Sequence, residues 1–544
     1  MSTSPGTLPA TLRRAADLHG DRLAVVDGAT RLTYAGLLAE VRETARAFVA
    51  LGVQPGDRVC LWAPNSWEWV VSALATSYAG ATLVPLNTRY TGHEVVDVAV
   101  RTRATLLVMA DGFLGRGQYD EVCAAASEGA ASELGAEGDL VMGLPDLRAV
   151  VRIGDGPAPA GVVPFAGHSA IADRIPLDEV EQRADALTTV EVADILFTSG
   201  TTGRSKGVMS AHSQTIAAAD VWARTCAVTA ADRYLMVNPF FHAFGYKAGI
   251  VVCLLTGATM YPQATFDVGA TLRLVSAERI TVLPGAPTVF HSLFGAPELP
   301  ATDLSSLRLA VTGATTVPVA LVERMQSELS FDTVLTAYGM TECVVATMCR
   351  PGDPDDLVAG TCGAAVEGLQ LRITDPHTGE ALPAGSVGEV RMRGPMVMLG
   401  YLDDDEATAA TIDPGGWLHS GDVGTLDDGG HLRITDRLKD MYISGGFNVY
   451  PAEVEQVLGR LEGVTEAAVI GVADERLGEV GLAYVVRRDT DLTAADVLAF
   501  ARTRLANFKV PKQVAFVDAL PRNGSGKVLK QDLRQAQEPT RSNT

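Results

Sequence analysis

The chain has 544 residues, enough to bury more than one hydrophobic core, so two or more domains are expected. Its 47% hydrophobic and 20% charged content describes a globular protein and excludes a disordered one. A formal charge of -21 repels nucleic-acid backbones and anionic lipid, whereas a local cradle of backbone N–H groups still suits a small anion. Seven cysteines (Cys60, Cys123, Cys226, Cys253, Cys343, Cys349, Cys362) include no C-x-x-C pair and no His at ligand spacing, which fits reduced thiols. Residues 1–14 lack the apolar core of a secretory signal, and the longest apolar stretch, 248–258, is far short of the roughly 20 residues of a membrane helix. A cytoplasmic protein without membrane insertion is expected, with no nucleic acid among its partners.

In chain order, Thr33 is placed to cap a helix whose residues Leu37, Leu38, Val41, Ala45, Phe48 and Val49 share one face, with Gly52 as its stop. Apolar runs at 57–62, 82–85 and 105–109 alternate with helical patterns, which predicts a doubly wound α/β layer. Gly-rich stretches at 112–143 and 154–167 read as surface excursions. Strands predicted at 194–198, 280–283, 307–311 and 334–337 each lead to a glycine-containing turn, and ligands of open α/β sheets lie beyond such strand ends. Beyond Arg393 the texture becomes β-rich. After Arg437 a compact α/β pattern follows: helix 452–461, strands 467–472 and 482–486, helix 494–505. The fold class is therefore α/β, with a large N-terminal domain (1–436) of doubly wound sheets plus a β-rich subdomain, and a small mobile C-terminal domain (437–544).

The run Thr198-Ser199-Gly200-Thr201-Thr202-Gly203-Arg204-Ser205-Lys206-Gly207 gathers hydroxyls, glycines and a lysine directly after a predicted strand, the chemistry that holds phosphate. It is not a Walker loop: Ser205 stands where the second glycine belongs, and Gly207 replaces the magnesium-binding hydroxyl. A kinase or motor ATPase is thereby disfavoured.

This segment resembles the phosphate loop of the adenylate-forming superfamily of acyl-CoA synthetases, luciferases and peptide-synthetase adenylation domains, and the likeness runs from about Leu32 to Lys530. The resemblance implies roles for further motifs. In Tyr338-Gly339-Met340-Thr341-Glu342, Tyr338 stacks on adenine, Thr341 meets the α-phosphate and Glu342 holds magnesium, while Gly313-Ala314-Thr315 lies along adenine and the acyl pocket. Asp422 takes both ribose hydroxyls with Arg437 nearby, and Lys439 is the hinge. Lys527, in Pro521-Arg522-Asn523-Gly524-Ser525-Gly526-Lys527, is the catalytic lysine that bridges the attacking carboxylate and the α-phosphate. Ser444-Gly445-Gly446 borders the thiol channel. Phe508 is a candidate platform for the CoA adenine with Lys509 as a phosphate contact, although an aromatic beside a helix end also serves core packing. His242, in Asn238-Pro239-Phe240-Phe241-His242, sits beside the carboxylate or acyl-adenylate, and residues 285–290 and 343–346 supply apolar walls.

The implied reaction joins a carboxylic acid to coenzyme A through an acyl-adenylate, using ATP and Mg2+ and releasing AMP and pyrophosphate. The runs 194–207, 238–250, 307–329 and 434–457 resemble actinobacterial ligases that activate a bicyclic indane-dione propionate of steroid catabolism. A medium-chain fatty acid, an aryl acid, or carrier-protein loading by a stand-alone adenylation enzyme remain the alternatives. Homodimerisation stays open. The tail pattern P-x-x-x-x-G-K resembles a site of lysine acetylation, so an acetyltransferase and deacetylase acting on Lys527 are further candidate partners.

Overall fold

A computed structural model of the chain describes residues 6–130, 144–154, 158–198, 205–313, 319–438, 440–444, 447–474, 476–488, 491–505, 507–522 and 528–536. It divides into two compact units, Met1–Gln370 with Arg393–Gly416, and Leu371–Met392 with Trp417–Thr544.

The first unit is built on an eight-stranded sheet. Its parallel part contains Val163–Pro164, Ala149–Ile153, Ala104–Ala110, Arg58–Trp62, Thr82–Pro85 and Val192–Thr198 in that spatial order. Lys206–Ala211 then returns antiparallel, and the short strand Gly400–Tyr401 closes the edge against it. Ala104–Ala110 is buried along its whole length, as expected of a parallel strand covered on both faces. The predicted cap is present: Thr33 Oγ1 accepts the Gly36 N–H at 3.0 Å and opens helix Tyr34–Ala50. Leu37, Val41, Ala45 and Phe48 of that helix are buried on the expected face.

Two four-stranded sheets complete the unit. One runs Arg233–Met236, Thr259–Pro262, Leu23–Asp27, Thr30–Thr33; the other runs Leu309–Gly313, Thr333–Met340, Cys343–Met348, Ala364–Ala365. Val282 bridges them through single pairings with Tyr234 and Leu309. The strand predicted at 280–283 is thus represented by one bridging residue, and backbone bonds on either side of it continue to both neighbours: the Leu235 N–H donates to the Val282 carbonyl, and the Leu283 and Gly285 N–H groups donate to the Leu309 and Val311 carbonyls. Gly313 and Gly339, predicted to lie in turns, are in strands: Gly313 pairs with Ala337, and a Cβ on Gly339 would lie 2.0 Å from the Val344 carbonyl oxygen. Only glycine allows that approach.

In the second unit, Gln370–Thr374, Gly388–Arg393, Leu418–Leu426 and Leu432–Arg437 form one sheet. A second sheet centres on the hairpin Val464–Asp474 and Gly478–Arg487, with Gln513–Phe516 parallel to the latter. Strand alternation sorts this hairpin's side chains into two cores. Val469, Ala483 and Val485 meet helices Pro451–Leu458 and Ala494–Arg502, while Ala468, Ile470, Leu482 and Tyr484 pack with Leu533. The sequence division at 436/437 falls inside this unit. There the Asp436 carboxylate accepts the Ala452 N–H at 2.6 Å, tying the last strand of the first sheet to the start of helix Pro451–Leu458. Burial raises the Asp436 carboxyl to about 6.

His212 opens helix His212–Thr225, is 1% exposed, and accepts the Leu8 N–H at Nδ1 (3.3 Å). Burial lowers its pKa to about 4. A depressed histidine contributes stability that is present above the ordinary 6.5 and is lost as pH falls through the folded value. His212→Asn keeps an acceptor at the Nδ1 position without titrating. Urea unfolding of both proteins from pH 7 to 4 should show the variant gaining on the native protein by up to about 3 kcal/mol on acidification. Parallel pH curves would remove His212 as the titrating group.

Candidate active site

The phosphate motif is held by a hairpin. Val192–Thr198 and Lys206–Ala211 pair antiparallel with Thr198 opposite Lys206, and the Thr198 hydroxyl donates to the Lys206 carbonyl at 3.4 Å. Ser199, Gly200, Thr201, Thr202 and Gly203 lie outside the described residues. Gly207 belongs to the sheet: a Cβ there would press on Ile195, Phe197 and Leu402 at 3.0–3.3 Å, and its carbonyl accepts the Leu402 N–H at 2.8 Å.

That last contact positions a residue the sequence reading missed. Tyr401 places its ring 4.7 Å from Lys206 Nζ and donates its hydroxyl to Glu342 Oε1 at 2.8 Å. Lys206, Tyr401 and Glu342 thus form one chain of contacts. Burial, reinforced by the Glu342 carboxylate, raises the Tyr401 pKa far above the ordinary phenol value, so it is a neutral donor at all working pH. Its signal in the sequence was faint: a lone aromatic following Gly400, whose φ of +153° suits the turn into a two-residue edge strand.

Thr341 and Glu342 are the two turn residues between Thr333–Met340 and Cys343–Met348, with Met340 paired to Cys343. Glu342 is 8% exposed. One hydroxyl donor does not exhaust a carboxylate's four lone-pair sites, and magnesium characteristically takes one or two protein carboxylates with phosphate oxygens and water completing its shell. Glu342 fits that ion. Among the described residues there is no cluster of three or more metal-ligating side chains, so a protein-only metal cage is not in view. Tyr338 is half-buried near the end of the same strand, and Gly313 closes Leu309–Gly313; Ala314 and Thr315 lie outside the described residues.

His242 caps a short helical turn, Ala243–Gly245, with Nδ1 accepting the Phe244 N–H at 3.2 Å. That bond assigns the neutral ring's proton to Nε2. The ring reaches solvent, yet enough protein surrounds it that desolvation lowers its pKa, the combination expected on a concave wall. The wall is pinned by Asn65, another residue the sequence reading missed. Its Nδ2 donates to the Met236 and Asn238 carbonyls (3.1 and 2.9 Å), and its Oδ1 accepts the Phe240 N–H at 2.8 Å. Of the expected apolar walls, Cys343, Val345 and Ala346 are buried and Val344 is half-buried, while Phe290 is a core residue edge-on to Phe331. Burial, then the Glu342 carboxylate, pushes the Cys343 thiol up to about 12.

In the second unit, Asp422 and Arg437 face each other across paired strands, with Arg437 Nε 3.1 Å from Asp422 Oδ1. Asp422 is 5% exposed and Gly421, at φ +67°, turns the chain just before it. Ser444 is buried at the end of Tyr442–Ser444, with Gly445 and Gly446 outside the described residues. Phe508 packs at the margin of the Val469–Val485 core, and Lys509 Nζ sits 2.6 and 2.7 Å from the Glu453 carboxylate oxygens. A phosphate there would have to compete with Glu453. Lys439 and Lys527 lie outside the described residues.

The hairpin of Val192–Thr198 and Lys206–Ala211, the Thr341-Glu342 turn and the Asp422–Arg437 pair thus carry the three motifs in chain order. Residues 12–402 match the AMP-binding enzyme family and residues 453–527 its C-terminal domain, and the chain belongs to that family. It is 55% identical over 540 residues to the 3-[(3aS,4S,7aS)-7a-methyl-1,5-dioxo-octahydro-1H-inden-4-yl]propanoyl:CoA ligase of Rhodococcus jostii, covering 98% of this chain and 99% of that one. It is 53% identical over 535 residues to the ligase of the same name from Mycobacterium tuberculosis, covering 97% and 98%. Among solved structures it resembles ATP-bound MatB from Rhodopseudomonas palustris, with a TM-score of 0.82 at 32% identity over 97% of this chain and 99% of that one. No helix among the described residues is long and apolar enough to cross a membrane.

Asn65→Ala takes the side-chain acceptor from the buried Phe240 N–H and a donor from the Asn238 and Met236 carbonyls, the latter keeping the Gln263 N–H at 3.2 Å. It should cost about 2 kcal/mol in urea unfolding and speed amide exchange at Phe240. Unchanged exchange at Phe240 would show that the wall does not depend on Asn65.

Proposed function

We propose that the protein is an ATP-dependent carboxylic acid:CoA ligase acting on the bicyclic indane-dione propionate of steroid catabolism. The end-to-end identity with the Rhodococcus ligase carries this reading, and the Lys206–Tyr401–Glu342 chain supports it. In the first step a carboxylate oxygen attacks the α-phosphorus of ATP, pyrophosphate leaves and an acyl-adenylate forms. In the second the CoA sulfur attacks the acyl carbon, the bond to AMP breaks, and the thiol proton passes to solvent.

Both substrates of the first step are anions, so positioned cations do most of the work. Residues 198–203 and Lys206 hold the triphosphate, Thr341 donates to the α-phosphate, and Lys527 bridges it to the attacking oxygen. Bound at Glu342, magnesium would neutralise phosphate charge. Tyr338, Gly313, Ala314 and Thr315 take the adenine, and Asp422, oriented by Arg437, accepts the ribose hydroxyls. His242, neutral with its proton on Nε2, donates to the acid's carboxylate. Residues 437–544 turn at Lys439 between the two steps, bringing Ser444, Gly445 and Gly446 to the thiol and Phe508 to the CoA adenine. The protein works in the cytoplasm; homodimerisation and reversible acetylation of Lys527 belong to this reading as well.

AMP release over a panel of acids, with and without CoA, tests the assignment. The indane-dione propionate should give rapid CoA-dependent release, and medium-chain fatty and aryl acids little. Release indifferent to CoA would favour carrier-protein loading, and preference for another acid would replace the substrate. Lys527→Ala should lower adenylation by about 10² to 10³ while thioester formation from supplied acyl-adenylate survives; equal loss of both steps would overturn its role.

Tyr401→Phe keeps the ring against Lys206 but removes the hydrogen bond to Glu342. The Mg2+ concentration for half-maximal AMP release should rise about tenfold, the worth of one hydrogen bond to a charged group. An unchanged magnesium response would separate Tyr401 from the metal site.

A further inference from the structure

The segment that carries His242 runs into a π-helical turn, Tyr246–Val251. Such wide turns are rare and persist where their surroundings hold them. Lys247 lies in this turn and is 1% exposed. Its Nζ is 2.8 Å from Asp194 Oδ1, a carboxylate with 0% exposure, and donates to Ser210 Oγ at 2.8 Å. The other carboxylate oxygen accepts the Thr215 hydroxyl at 2.7 Å. Asp194 and Ser210 are opposed across the two strands that flank the phosphate loop, and Thr215 is on helix His212–Thr225. Four elements therefore converge on one buried pair of charges.

Burying two ions costs several kcal/mol each, and an apolar pair of equal volume is often as stable. Net stability is therefore a poor explanation for the pair. Its geometry provides register instead: one ammonium that must meet a carboxylate on one strand and a hydroxyl on the next fixes where the turn sits along the hairpin. Neighbouring groups share the same field. Tyr246, whose buried hydroxyl has no hydrogen-bond partner among the described residues, feels Asp194, and Cys343, next to Glu342, feels Lys247.

We propose that Lys247 and Asp194 are a positioning pair that locks the His242 wall to the phosphate hairpin, so that ATP binding orders the acyl site. The role of His242 rests on the ligase reading, but the coupling is measurable without any acid. Hydrogen exchange of the full chain, with and without Mg2+ and the non-hydrolysable analogue α,β-methylene-ATP, would be followed in peptides covering 238–251. The analogue should slow exchange there in the native protein. In Lys247→Met/Asp194→Asn, which removes both charges together, analogue affinity should stay within about threefold while the protection of 238–251 is lost. Thr215→Val, which takes away one hydrogen bond and no charge, should lose part of it, and this milder variant decides the matter if the double variant does not fold. With the best acid of the AMP-release panel, KM for the acid should rise about tenfold with kcat changed less, as expected when ground-state positioning is lost. A purely structural pair would lower the melting temperature and leave the protection and KM unaltered, and that result overturns the proposal. So does native protein in which the analogue gives 238–251 no protection. Failure of the native enzyme to release AMP with any acid would instead refute the ligase reading.

Discussion

The first unit depends on a reversal of strand direction. Its sheet is parallel as far as Val192–Thr198, and a further parallel strand would need a crossover of a dozen or more residues, usually a helix. Only residues 199–205 separate Thr198 from Lys206, so the chain must return antiparallel. The reversal sets Lys206 opposite Thr198 at the end of the strand, where ligands of open α/β sheets are found. It also creates an edge, which Gly400–Tyr401 closes. Tyr401 reaches Lys206 and Glu342 because of that edge, and the contact holds together two motifs far apart in sequence.

Charges are handled in three ways. Asp422 and Arg437 are opposed by strand register; the arginine side chain remains 40% exposed while the carboxylate is 7% exposed, so only the carboxylate has lost most of its water. Lys247 and Asp194 are sealed from water and held by hydroxyls from a strand and a helix. The buried pair fixes position, at a free-energy cost that the surrounding packing offsets. Asp232, where Arg308 and Thr281 converge, is a third case and has a structural role: it lies beside the Val282 bridge that joins the two four-stranded sheets.

Local signals were legible wherever a single element explains them. The Thr33 cap, the apolar face of Tyr34–Ala50 and the runs at 57–62 and 82–85 appear almost where periodicity puts them, because capping and burial patterns act over one turn or one pleat. The run at 280–283 misled only in extent: Val282 pairs with strands on both sides, and the backbone bonds around it link the segment to each, but the regular pairing is confined to that one residue. Gly313 and Gly339 misled differently: a glycine can mark a turn, or a place where another backbone comes within a Cβ's reach, and sequence does not separate the two.

By itself the sequence determined the chemistry on offer: a phosphate loop with Lys206, the Thr341-Glu342 pair, Asp422 before Arg437, and the order in which they occur. Those motifs are contiguous, and each needs particular residue types at fixed spacing, which is why the family could be read from them. Tertiary structure alone decided what stands behind the motifs. Asn65, more than 170 positions from the backbone it pins, Tyr401 beneath Lys206, and Asp194 against Lys247 are single residues without a local pattern. Their partners are chosen by sheet register and by the exclusion of water from buried polar groups, and both are properties of the packed chain.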